Sequence, residues 1–258
     1  MSDHPEISGF REFEFDLPDA LLRSMVATFD AMESASLNLE HLGAIPDAQG
    51  VYQLLVGDDI VYIGKTDAEA GLAKRLERHA WTIQHRRNLS VDAVSFKAVR
   101  VYVFTAIDLE TQLIKHYREK SSISWNNSGF GSNDPGRNRD DTRANAKSFD
   151  VLYPIDLDQQ IKVAVSGEIS AAAALHALRR ELPYTVRAQS ADENARLPHS
   201  DLESAKLVVP EGNTTARKMM TLIVESLPVG WQATALAGRI IVYAESKDYA
   251  SGIVIARS

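Results

Sequence analysis

Residues 50–79 read GVYQLLVGDDIVYIGKTDAEAGLAKRLERH, and the rest of the chain is organised around them. Val51 to Val56 and Ile60 to Ile63 are runs of β-branched, aliphatic and aromatic residues, and Gly57-Asp58-Asp59 between them is turn material. The spacing predicts an antiparallel hairpin on which Tyr52 and Tyr62 face each other. Gly64-Lys65-Thr66 then interrupts the strand pattern. From Gly71 to about Arg87 the period becomes helical, with Leu72, Leu76, Ala80 and Ile83 along one face and Arg75 and His79 on a neighbouring stripe. Two phenols, a guanidinium and an imidazole therefore converge from adjacent elements. That set suits a phosphate: arginine forks two oxygens, while tyrosine and histidine donate, accept or shuttle protons.

Residue types alone fit a plainer account better, in which tyrosines favour strands and Arg75 and His79 lie on a wet helix face. The order of the residues adds to the picture. Gly50-Val51-Tyr52, ten positions to Tyr62 in Val61-Tyr62-Ile63-Gly64, and then Arg75 and His79, resembles the GIY-YIG nuclease superfamily. The resemblance implies a small antiparallel sheet flanked by helices. It also implies hydrolysis of DNA phosphodiesters with one divalent metal, Mg²⁺ or Mn²⁺.

The 258 residues contain no cysteine and are 45% hydrophobic, enough for one or two domains with proper cores. No stretch approaches the length of a membrane span, and the start, MSDHPEISGF, lacks the basic and apolar regions of a signal peptide, so a cytoplasmic protein is expected. The net charge of −7 resides in residues 1–40, with 2 basic and 9 acidic side chains, whereas residues 41–150 hold 15 and 14. This argues against a strong nonspecific DNA binder, but a cleft can still concentrate positive potential. Arg86, Arg87, Lys97, Arg100, Arg137, Arg139 and Arg143 flank the quoted stretch or lie in the loop beyond it, and are the candidate contacts to double-stranded DNA.

Before the hairpin, Pro18 to about Ala35 has Leu21, Leu22, Met25, Val26 and Phe29 at helical spacing, with Asp19 as the expected cap. After it, Val91 to Thr105 reads as a strand extending the hairpin sheet, and Asp108 as the cap of a helix with Glu110 in its first turn. An acid there is stabilising without further role, by about 0.3 to 1 kcal/mol. In the resembled family a glutamate at this place binds the metal, which makes Glu110 the implied ligand. WNNSGFGSNDPG at residues 125–136 has loop composition and no core pattern. With SFDVLYP at 148–154 it resembles the restriction-endonuclease, NgoMIII-like branch of the superfamily, although Phe149 and Tyr153 stand where that branch carries tryptophan and histidine. The branch's active-site asparagine falls on Asn126, with Asn127 beside it.

From Leu157 onward the resemblance stops and an internal repeat begins: residues 162–183 (KVAVSGEISAAAALHALRRELP) and 206–228 (KLVVPEGNTTARKMMTLIVESLP). Each predicts strand, turn, helix and a following strand. The expected class is therefore α+β: a GIY-YIG endonuclease domain with an N-terminal helical extension over 1–156, then a ferredoxin-like α+β accessory domain over 157–258 built from two β-α-β repeats. Every residue matched to the family lies before 157, so a chain ending near Asp158 is expected still to nick DNA. Ile240 to Ala244 is a candidate strand for edge-to-edge pairing with a second copy.

The resemblance implies a site of Tyr52, Tyr62, Arg75, His79, Glu110 and Asn126. Glu110 would hold the metal, Arg75 would brace the phosphorus, and a tyrosine of lowered pKa, Tyr52 foremost, would help take a proton from water while Tyr62 and His79 position phosphate and water. One such site cuts one strand, so a homodimer on a palindromic sequence accounts for a double-strand break. The leading expectation is a site-specific restriction-like endonuclease. A structure-specific or mobile-element nuclease on the same fold, and a catalytically inactive DNA-binding module, are the alternatives.

Overall fold

The computed structural model describes Gly9 and residues 16–67, 69–102, 109–131, 134–192 and 197–258. The quoted hairpin forms as β2 (Gly50–Val56) and β3 (Asp59–Thr66), joined by a two-residue turn at Gly57 and Asp58. Gly57 sits at φ +60°, the left-handed value that a tight hairpin turn demands at its first central position. β3 continues through Gly64-Lys65-Thr66, with Thr66 opposite Gly50, so that tripeptide does not end the strand. The short β1 (Ala35–Ser36) and β4 (Val94–Arg100) complete an antiparallel sheet in the order β1-β4-β2-β3. The outer end of the expected strand, at 103–105, and the Asp108 cap lie outside the described residues.

Strand alternation gives this sheet two apolar faces. Tyr52 and Leu54 face α3 (Leu72–Gln84), whose Leu72, Leu76, Ala80 and Ile83 are all buried, as the helical period predicts. Val51, Leu55, Ile60 and Ile63 face α1 (Leu17–Ala31) and α4 (Leu109–Tyr117), through Phe29, Leu113 and Tyr117. Tyr117 also donates a 2.7 Å hydrogen bond to Asp30, tying those two helices together. The cap of α1 is Asp16, which accepts from the Asp19 amide, rather than Asp19 itself. α2 (Leu39–Gly43) and α5 (Phe149–Leu152) are short. The 125–136 stretch is irregular, yet Trp125 and Phe130 are buried and join Phe149 in the core. Composition hides this, because two aromatic side chains bury as much area as a turn of amphipathic helix.

A separate core runs from Ile155 to Val242. It holds β5 (Gln160–Lys162), β6 (Gly167–Ser170), α6 (Ala171–Glu181), β7 (Thr185–Ala188), α7 (Ser200–Ser204), β8 (Lys206–Val209), β9 (Asn213–Thr215), α8 (Ala216–Glu225), β10 (Gln232–Leu236), β11 (Arg239–Tyr243) and β12 (Gly252–Arg257). The two repeats are visible: Ser170 and Thr215 cap α6 and α8 by the same bond, each three residues after a positive-φ glycine. The strand order differs from the single sheet of a ferredoxin-like arrangement. β5 pairs with β9 and β6 with β8, so the leading strands of one repeat bond to those of the other, while the main sheet runs β12-β10-β11-β7. Local periodicity specifies a strand but not its partner, and here the partner comes from the sister repeat. β11, which carries Ile240 to Tyr243, is interior to its sheet and is not available for edge pairing. The whole is a mixed α+β protein with several small, mainly antiparallel sheets. Among the described residues, no helix is long and apolar enough to cross a membrane.

Candidate active site

Tyr52, Tyr62, Arg75 and His79 come together on the α3 face of the hairpin. Tyr52 stands opposite Gly64 and Tyr62 opposite Leu54, so the two phenols are diagonal neighbours rather than a facing pair, with ring centroids 6.1 Å apart. Gly64 makes the room: a Cβ there would lie 2.6 Å from Tyr52 Cζ and 2.8 Å from Tyr62 Cε1. Tyr52 Oη lies 2.8 Å from His79 Nε2 and accepts a longer hydrogen bond, 3.4 Å, from Arg75 Nε.

Tyr52 has no exposed surface and His79 is 3% exposed. Burial, and then the neighbouring Tyr62 phenol, push the Tyr52 pKa well above its ordinary value, more than Arg75 pulls it down. This is opposite to the lowered pKa expected of a base. Burial, reinforced by the positive charges of Arg75 and Arg78, pushes His79 down to about 3. At neutral pH the pair is therefore a phenol donating to a neutral imidazole, and it holds the half-buried Arg75 guanidinium from behind.

Phe130 belongs to the cluster, although by sequence it falls in the quoted loop and not among the expected site residues. Its ring stacks on His79 at 4.7 Å and meets Tyr62 edge-on at 5.1 Å, closing the cluster from the loop side. An aromatic between two glycines in an otherwise polar loop is the available signal.

Asn126 serves the same face by holding β3. Its amide accepts from Ile63 N–H at 2.9 Å and donates to Ile63 C=O at 2.8 Å, and Ile123 and Trp125 bond to Ile60 and Val61 just before it. A primary amide offers the same donor and acceptor as a peptide group, so this segment extends the sheet as a strap that ends at Ile63. Beyond the strap, Gly64 is on the tyrosine face and Lys65 on the other, where its ammonium lies 3.7 Å from Glu110 in the first turn of α4. Glu110 thus approaches the outer edge of β3 from the opposite side to Arg75. Among the described residues, no cluster of three or more His, Cys, Asp or Glu side chains could hold a metal.

The seven candidate DNA contacts separate. Arg86 is turned inward, bonded to Asp150 at 2.8 Å and to Tyr153 C=O. Lys97 is bonded to Phe29 C=O near the end of α1, and Arg100 stacks over Tyr102. Arg137 lies against Tyr243 of β11 and Glu245 just after it. Arg87, Arg139 and Arg143 are exposed. No protein-family model matches the chain, and no curated protein matches it.

Proposed function

We propose that the chain is a metal-dependent endonuclease that hydrolyses DNA phosphodiesters, of the GIY-YIG type and acting as a site-specific, restriction-like enzyme. The observation that carries this reading is the Arg75 guanidinium fixed by the Tyr52–His79 pair on one side of the β3 edge, with Glu110 on the other. A phosphate at that edge would meet a cation already oriented, which is where preorganisation helps most, since no side chain needs to move as charge develops. Tyr52, protonated at neutral pH, acts as a positioning group. Tyr62 is the phenol left to orient the attacking water.

A lone carboxylate fits Mg²⁺, which binds through one or two carboxylates, substrate phosphate and retained waters rather than an all-protein cage. Glu110, with its side chain 26% exposed, would hold it beside Lys65. When bound, the ion supplies a Lewis acid that offsets charge on the phosphate and leaving oxygens.

Supercoiled plasmid incubated with the protein and Mg²⁺, followed by sequencing of the ends, tests the reading. Discrete cuts at a short repeated sequence, with 5′ phosphates, are expected. Glu110→Ala should abolish cutting and leave duplex binding intact, because affinity comes mainly from phosphate contacts. Full cutting by that variant would remove Glu110 from the site. A second reading, a DNA-binding module without chemistry, is favoured by the complete burial of Tyr52 against Tyr62 and His79. Duplex binding with no Mg²⁺-dependent cutting would establish it.

A further inference from the structure

Where the two domains meet, a cleft of about 610 Å³ opens beside the tyrosine cluster. One wall is the outer side of α3, with Arg78 and Trp81. The other is the end of α6 and the turn after it, with Arg179, Arg180 and Tyr184. Gly131 belongs to both places: it lines the cleft, and a Cβ on it would lie 4.0 Å from Arg75 Nη2 and from His79 Cε1.

The charges around the cleft do not cancel. Its two aspartates are engaged, Asp150 by Arg86 and Asp134 by Arg187, and Arg239 is engaged by Asp140. Arg78, Arg179 and Arg180 are exposed and form no ion pair with a described residue. Among the described residues, Arg179 spends only its Nε, on Val186 C=O.

Two buried polar atoms supply an independent sign of a ligand. Tyr184 Oη and Arg86 Nε belong to residues only 7% and 8% exposed, both line the cleft, and neither has a hydrogen-bond partner among the described residues. Native proteins leave few such atoms without cause. Burial pushes the Tyr184 pKa well above its ordinary value, so the group is a neutral hydroxyl ready to donate.

We propose that this cleft binds a nucleotide of the DNA, its phosphate between the arginines of α3 and α6 and its base against Trp81, so that the second domain grips the substrate next to the cutting site. The volume suits a unit of that size. Stacking on an aromatic ring combined with arginine contacts is the common chemistry of nucleotide recognition. The proposal rests on the endonuclease reading, and a free nucleotide would offer the same groups.

The test uses the full chain and a fluorescent duplex in EDTA, with affinity measured across a salt series. Arg180→Glu, alone and with Arg78→Glu, should weaken binding, by ~10-fold or more for the pair, and lower the salt slope by about 0.9 for each phosphate that is no longer neutralised. Tyr184→Phe should weaken binding without lowering the urea midpoint. A native chain that binds no duplex overturns the endonuclease reading and this proposal together. Native binding that the double variant leaves unchanged in affinity and slope overturns the cleft alone. A deoxynucleoside monophosphate that binds the native chain but not the variant, with duplex affinity unaffected, would assign the cleft to a free nucleotide and overturn its role in gripping DNA.

Discussion

Gly64 carries no side chain because the Tyr52 ring occupies the place where one would be. Gly64→Ala forces an overpacked contact with two aromatic rings and should destabilise the protein by ~1–3 kcal/mol, read as a lower urea midpoint. Arg75→Ala removes the cation that the Tyr52–His79 pair holds, and by analogy with the loss of one preorganised donor should lower kcat ~10²–10³-fold. His79 links the site to pH. Its pKa is about 3 in the folded protein against 6.5 for a free imidazole, so below pH 6.5 the unfolded chain binds a proton that the folded one does not. The stability associated with a neutral His79 is therefore full above pH 6.5 and lost as pH falls toward 3. The urea midpoint of the native chain should fall over that window more steeply than that of His79→Gln, and parallel curves would exclude the linkage.

At the scale of elements, residues 123–131 and 134–143 join the site to β7 and β11. Their first part straps β3 and their middle covers His79 with Phe130. Their last part delivers Asp140, whose side chain is 2% exposed, to Arg187 at 2.6 Å, Arg239 at 2.8 Å and the Tyr243 hydroxyl. Arg187 also bonds Asp134. Arg187→Ala leaves the buried Asp140 carboxylate with Arg239 and the Tyr243 hydroxyl, and loses one charged hydrogen bond, so it should cost ~1.5–3 kcal/mol in global unfolding. If residues 123–131 and 134–143 work as one piece, the variant should also lose cleavage under conditions where it remains folded. Unchanged turnover would show that the strap and the Asp140 end are independent.

For the whole molecule, this grip alters what a shortened chain should do. A protein ending near Asp158 keeps all six proposed site residues but loses the partners of Asp134 and Asp140, and loses the main-chain bond from Ile155 N–H to Ala237. Such a chain is expected to be cleaved readily by protease within 134–143 and to nick far more slowly than the full chain. On the endonuclease reading a double-strand break is made by two copies, so sedimentation on a cognate duplex should show the mass of the duplex plus twice the 28.5 kDa of one chain. With β11 interior, β12 and β7 are the outer strands of the main sheet. Ile253 on β12 is 68% exposed, and Ile253→Lys should weaken that assembly.

The sequence by itself determined the elements whose information is local. The hairpin, the buried stripe of α3, the two capped repeats and the grouping of Tyr52, Tyr62, Arg75 and His79 all follow from periodicities of 2 and 3.6 and from turn chemistry. Those signals act between near neighbours in the chain. What only the tertiary structure decided depends on partners distant in the chain. The exchange of leading strands between repeats, the inward turn of Arg86 onto Asp150, Asn126 as a strap on Ile63, and the Asp140 clamp each join residues dozens of positions apart. The upward shift of Tyr52 belongs with them, because a phenol's pKa is set by the water it loses, and that loss exists only once Tyr62 and His79 have closed around it.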